Sequence, residues 1–85
     1  MNAILAVFRS RSQTLEFISR LNANGICATA VTTPREANVG CGISARLSGS
    51  DLYRARYVLN GCSRSAFVGF FCVETKYGRT IVRPV

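Results

Sequence analysis

Four cysteines, Cys27, Cys41, Cys62 and Cys72, are the residues of this 85-residue chain best suited to chemistry. They are separated by 14, 21 and 10 positions. No pair has the Cys-x-x-Cys spacing of a zinc or dithiol site, so no metal site is expected. The chain has no histidine. That removes Cys-His and Ser-His dyads and every imidazole ligand. A nucleophilic thiol here would act without a histidine base, which suits sulfur transfer better than hydrolysis.

Cys41 stands apart from the other three. It lies in the polar run Thr33-Pro34-Arg35-Glu36-Ala37-Asn38-Val39-Gly40-Cys41-Gly42. Gly40 and Gly42 let the backbone turn sharply and approach a ligand closely. A helix beginning at the same end of the fold offers free N–H groups that favour an anion. Arg9, Arg11 and Arg35 add positive charge there. Both effects lower a thiol pKa and raise the thiolate fraction. The competing reading is a small residue packed at a strand start. On the thiol reading, the loop is long because it presents one sulfur at a basic end of the domain.

The elements that position these residues follow from apolar periodicity and from start and stop signals. Ala3 to Phe8 is a short apolar run that reads as a central strand. No basic segment precedes it, and it is too short for a signal peptide or a membrane span. The expected compartment is therefore the cytoplasm, where thiols stay reduced. Ser10 with Gln13 has capping-box spacing and opens a helix whose apolar stripe is Leu15, Ile18 and Leu21. Asn24-Gly25 ends it. Ile26 to Val31 reads as strand two. Ile43 to Leu47 reads as strand three, with Ile43, Ala45 and Leu47 on one face. Ser48 with Asp51 starts a second helix carrying Leu52, Ala55 and Leu59, and Asn60-Gly61 ends it. Ser65 to Glu74 reads as strand four. Lys76-Tyr77-Gly78-Arg79 is a turn, and Thr80 to Arg83 a short fifth strand before Pro84.

The order is β-α-β-β-α-β with a C-terminal hairpin. The expected fold class is α+β: a ferredoxin-like sandwich with an antiparallel sheet and two helices on one face. The chain is long enough for one domain, 1–85, with a core over 1–74 and an extension over 75–85. The usual sheet order, 4-1-3-2, gathers Cys41, Arg9, Arg11, Arg35, Cys62 and Arg64 at one end. It places Cys27, at the start of strand two, and Cys72, late in strand four, on opposite edges roughly 14 Å apart. That is too far for a disulfide. Cys27 and Cys72 are expected to be small buried hydrophobes.

The Pro34-Arg35-Glu36 segment, the Cys41-Gly42 pair before an alternating strand, and Asp51-Leu52 together resemble a family of short bacterial proteins described as selenium/sulfur carrier-like. The resemblance spans about residues 3–74. It implies that Cys41 carries sulfur or selenium as a persulfide or selenosulfide, with no cofactor, as a carrier or accessory protein rather than a stand-alone enzyme. Donor and acceptor proteins would be its partners. By the topology above, Arg35, Gly40, Gly42, Arg9 and Arg11 would form the binding surroundings, and Cys62, at the same end, would either be a resolving thiol or simply follow the helix stop at Gly61. This chain departs from the family pattern at Gly40, where a small polar residue is common, and in residues 75–85, which extend past the usual end.

Two other function classes compete. A net charge of +7, with ten arginines among eleven basic residues, suits a nucleic-acid module. Yet strand three has no aromatic residue and strand one only Phe8, so the RNA-binding sheet surface is not expected. A regulatory or assembly domain without carrier chemistry would pair through a sheet edge or the C-terminal hairpin, where Phe70, Phe71, Ile81 and Val82 lie, giving a homodimer. No membrane association is expected.

Overall fold

The computed structural model describes residues 3–37 and 41–85, and of Glu36 the backbone alone. Its elements run β1 (Ala3–Phe8), α1 (Arg11–Ala23), β2 (Thr29–Thr32), a 3₁₀ turn (Arg35–Ala37), β3 (Ile43–Ser48), a second 3₁₀ turn (Gly49–Asp51), α2 (Leu52–Leu59), β4 (Phe67–Lys76) and β5 (Arg79–Pro84). The strands form one sheet in the order β2-β3-β1-β4-β5. Every pairing is antiparallel, β1 with β3 and β4, β2 with β3, and β4 with β5. β1 and β2 therefore flank β3 in parallel, and β3 and β4 flank β1. These are the two split βαβ units of a ferredoxin-like α+β fold.

β1 lies at the centre of the sheet and is buried on both faces. Ile4, Ala6 and Phe8 belong to the cluster under the helices, with Phe17, Leu21, Ala55, Leu59 and Phe70. An aromatic stack holds this layer together. The ring of Phe8 lies 5.6 Å from that of Phe17 and 5.0 Å from that of Phe67, and Phe67 lies 5.1 Å from Phe70. Such tilted pairs contribute about 0.5–1.5 kcal/mol each beyond their buried area.

The stripe of α1 is rotated from the expected one. Thr14, Phe17 and Leu21 are buried, whereas Leu15 is 45% exposed. Counting every third residue from Leu15 drifts off the 3.6-residue period. The 14-17-18-21 spacing keeps to one face and brings Ile18 along half-buried. The capping box is half formed. Ser10 Oγ accepts from the Gln13 N–H at 3.2 Å. The Gln13 side chain instead reaches the start of β4, where Oε1 accepts from the Ala66 N–H at 3.0 Å and Nε2 donates to Ser65 Oγ at 2.9 Å.

The other sheet face carries Leu5 and Val7, 3% and 0% exposed, although no helix covers it. Pro34 of the β2–β3 connection lies over part of it. Pro34 lines the same cavity of about 550 Å³ as Leu5, Val31, Arg46 and Val73. The 3₁₀ turn that follows lies against β5, at the far side of the sheet from β2. This connection thus packs against the sheet as a partial second layer. The outer strand on that side is β5, so β4 is internal. Arg79, Arg83 and Pro84 on β5 are features that discourage edge pairing.

The fold corrects the reading of Cys27. β2 begins at Thr29, so Cys27 lies in the connection after α1. Ile26 and Ala28, 1% and 5% exposed, turn inward and leave Cys27 pointing outward, exposed. Cys72 is half-buried and packs against the core. All four cysteines are free.

The exit from α1 is a Schellman turn. The Ile26 N–H donates to Leu21 O at 2.9 Å and the Gly25 N–H to Asn22 O at 3.1 Å. Gly25 has φ +78°, and a Cβ there would meet only Arg54 Nη2 at an ordinary 3.6 Å. The cost of a side chain is therefore one of backbone conformation. Gly25→Ala is predicted to lower unfolding free energy by about 1–2 kcal/mol, read from urea titration at unchanged m-value.

Candidate functional site

Three contacts close the neck of the loop that holds Cys41. The Thr33 N–H donates to Gly42 O at 2.9 Å, and the Thr33 and Ser44 hydroxyls lie 2.6 Å apart. The Cys41 N–H donates to Phe8 O at 3.0 Å. Within the loop the Ala37 N–H donates to Pro34 O at 3.1 Å. Gly42 adopts φ +96°, which residues with a Cβ rarely tolerate. This turn lets consecutive residues bond to different strands, Cys41 to the end of β1 and Gly42 to the end of β2.

The half-buried Cys41 thiol is held against the first turns of α1. Its Sγ lies 3.6 Å from Ile43 O and 3.7 Å from Thr14 Oγ1. Thr14 is fully buried, and its hydroxyl donates to Ser10 O at 2.9 Å. The thiol's single hydrogen goes either to Ile43 O or, with the Thr14 hydrogen committed to Ser10 O, to Thr14 Oγ1. When the sulfur is an anion, rotation of the same hydroxyl offers it a donor. Thr14 is not among the site residues expected from the sequence. Its available signal was a polar residue four positions after the N-cap, on the helix face that carries Phe17 and Leu21.

The neighbouring connections meet at this end. The Arg9 N–H donates to Ala66 O at 2.7 Å, which joins the β1–α1 turn to the start of β4. Arg9 and Arg11 are exposed there. Arg35 is exposed on the 3₁₀ turn that lies beside β5. Among the described residues the ion pairs are Arg54–Asp51 at 3.5 Å and Arg83–Glu74 at 3.0 Å, and neither involves these three arginines. Gly40 lies outside the described residues.

Cys62 has a different environment from Cys41. Its thiol donates to Val58 O at 3.3 Å, one turn back on α2. Burial pushes its pKa up, with Arg20 acting against the shift and Glu16 with it. Glu16 also accepts from the Ser63 N–H at 3.2 Å. Cys62 is therefore held as the protonated thiol near neutral pH. Among the described residues no cluster of His, Cys, Asp and Glu could hold a metal ion, and no helix is long and apolar enough to cross a membrane.

A family model described as "Putative Se/S carrier protein-like" matches residues 3–63. The matched segment contains the closed loop, Cys41, Thr14 and Cys62, and ends before β4. No curated protein and no solved structure matches the chain.

These environments predict an order of reactivity. Iodoacetamide near neutral pH should label exposed Cys27 first and Cys62 last, as read by peptide mapping. The burial of Cys62 also links to stability. A thiol whose folded pKa is raised contributes stability that is present below the ordinary value and is lost as pH rises through the raised one. The wild type should therefore lose stability relative to Cys62→Ala as pH rises above 9.0, the ordinary thiol value. A pH-independent difference between the two would contradict this environment.

Proposed function

The chain belongs to the Se/S carrier protein-like family, and from that premise we propose that it carries sulfur or selenium as a persulfide or selenosulfide on Cys41. The supporting observation is the seating of this one sulfur inside the family-matched segment. Its backbone is fixed to β1, and its Sγ lies against Thr14 at the opening turns of α1.

The loading step needs no external oxidant. The Cys41 thiolate attacks the terminal sulfur of a donor persulfide. The donor S–S bond breaks, its electron pair leaves with the donor thiolate, and a new S–S bond forms on Cys41. Delivery is the same exchange in reverse, with an acceptor nucleophile taking the outer sulfur. The N-terminal N–H groups of α1 favour the negative charge of the loaded group. Arg9 and Arg11 add long-range attraction for an anion, and Arg35 does so from the loop itself. Gly42 allows the turn that sets the sulfur in place. The partners are a donor and an acceptor protein, and the site of action is the cytoplasm.

Exposed Cys27 complicates any loading assay, so the test uses a Cys27→Ser background. After treatment with a small-molecule persulfide and removal of excess donor, intact mass should show one added sulfur atom per chain. Cys41→Ser should abolish the adduct with no change in circular dichroism. Undiminished loading in that variant would end the carrier reading. Cys62→Ser tests the resolving role. A resolving Cys62 would attack Cys41 Sγ, form a disulfide and expel hydrosulfide. With its thiol held protonated on Val58 O, the adduct should last equally long with and without Cys62 near neutral pH. A longer-lived adduct in Cys62→Ser would assign it that role.

A further inference from the structure

Two tyrosines on α2 stand out from the surface. Tyr53 is 90% and Tyr57 81% exposed. They are four residues apart, so they share the helix face opposite buried Ala55 and Leu59. Tyr57 lines two adjoining concavities. One, of about 280 Å³, also includes Tyr53, Arg54, Asn24 and Ile26. The other, of about 330 Å³, includes Arg20, Asn24, Asn60 and Gly61. Val58 lines both. Each concavity thus combines an apolar floor, a tyrosine, a guanidinium and at least one side-chain amide.

We infer that this α1–α2 face binds single-stranded nucleic acid, with bases in the concavities beside Tyr57. The chemistry matches on three counts. Bases stack on aromatic rings in a sequence-tolerant way. Asn24, whose Nδ2 donates to Arg20 O, keeps its Oδ1 for a base edge, and Asn60, whose Oδ1 accepts from Arg64, keeps its Nδ2. Arg20 stands where phosphates would pass, and Arg64, hydrogen-bonded to Asn60 at 2.6 Å, extends the charge, while Arg54 is held by Asp51 and by Asn24 O. No carboxylate lines either concavity among the described residues. The nearest acids are already engaged, Asp51 with Arg54 and Glu16 with the Ser63 N–H. The net charge of +7 supplies long-range attraction for a polyanion. Aromatic residues sought on the strands are found on α2 instead. Helix periodicity, rather than sheet alternation, aligns Tyr53 with Tyr57.

The test is fluorescence anisotropy with 5′-labelled oligouridylate and oligoadenylate of twelve nucleotides. The wild type should bind both, with affinity falling as salt rises, at a log-log slope of about −0.7 per phosphate neutralised. Tyr57→Ala should weaken binding roughly five- to a hundredfold, as loss of one stacking platform does. Tyr57→Phe should restore it, because the ring rather than the hydroxyl carries the interaction. Arg20→Gln should weaken binding and flatten the salt slope. Cys41→Ser should bind as the wild type does, which separates this inference from the carrier reading. Both tyrosines are solvent-exposed, so circular dichroism should be unchanged in every variant. Unchanged affinity in Tyr57→Ala would reduce the binding to unspecific charge attraction and overturn the inference. Absence of binding at low salt would overturn it too and leave the face to a protein partner.

Discussion

The placement of the candidate sulfur depends on one backbone constraint, the left-handed turn at Gly42 between two interstrand hydrogen bonds. Cys41 spends its N–H on Phe8 O, and Gly42 offers its carbonyl to the Thr33 N–H. Only a sharp reversal between the two residues allows both bonds, and φ +96° supplies it. Phe8 ends the central strand, buried from Ile4 onward, so the loop is anchored to the core of the sheet. Thr14, whose hydroxyl donates to Ser10 O, then meets the sulfur from the helix side. The thiol is positioned by β1, β3 and α1 together.

The rest of the fold follows from covering β1 twice. Helices cover one face through Phe8, Phe17, Leu21 and Phe70. On the other face Pro34 of the β2–β3 connection lies beside Leu5, and the 3₁₀ turn that follows leans on β5. A chain of this size buries only about 60–65% of the surface its unfolded form exposes. Using a loop as a second layer adds burial without adding another helix. The same loop ends in Cys41, so one segment serves packing and site placement at once.

Much of this was legible in the sequence, because local signals agreed with the global arrangement. The alternation in Ile43, Ala45 and Leu47, the Ser10 cap and the Asn24-Gly25 stop each act within a few residues, and each marks an element of the structure. The misreadings arose where the outcome depends on contacts distant in sequence or on phase. The stripe on α1 was read one position out of phase at Leu15, since a spacing of three and a period of 3.6 diverge within two turns. The expected burial of Cys27 rests on the general tendency of a free cysteine to pack as a small hydrophobe, whereas its neighbours Ile26 and Ala28 take the inward positions. Thr14 carries no local mark as the neighbour of a sulfur 27 positions away. The Tyr53–Tyr57 pair was visible at helical spacing, yet its exposure depends on which side of α2 the sheet occupies.

The central claim is that Cys41 holds a transferable sulfur. Cyanide attacks the outer sulfur of a persulfide and releases thiocyanate, which can be counted against protein concentration. Donor-treated and desalted protein in the Cys27→Ser background is predicted to release one thiocyanate per chain, and the same protein with Cys41→Ser none. Release of thiocyanate at the same yield from the protein lacking Cys41, or no release from either, would contradict the account.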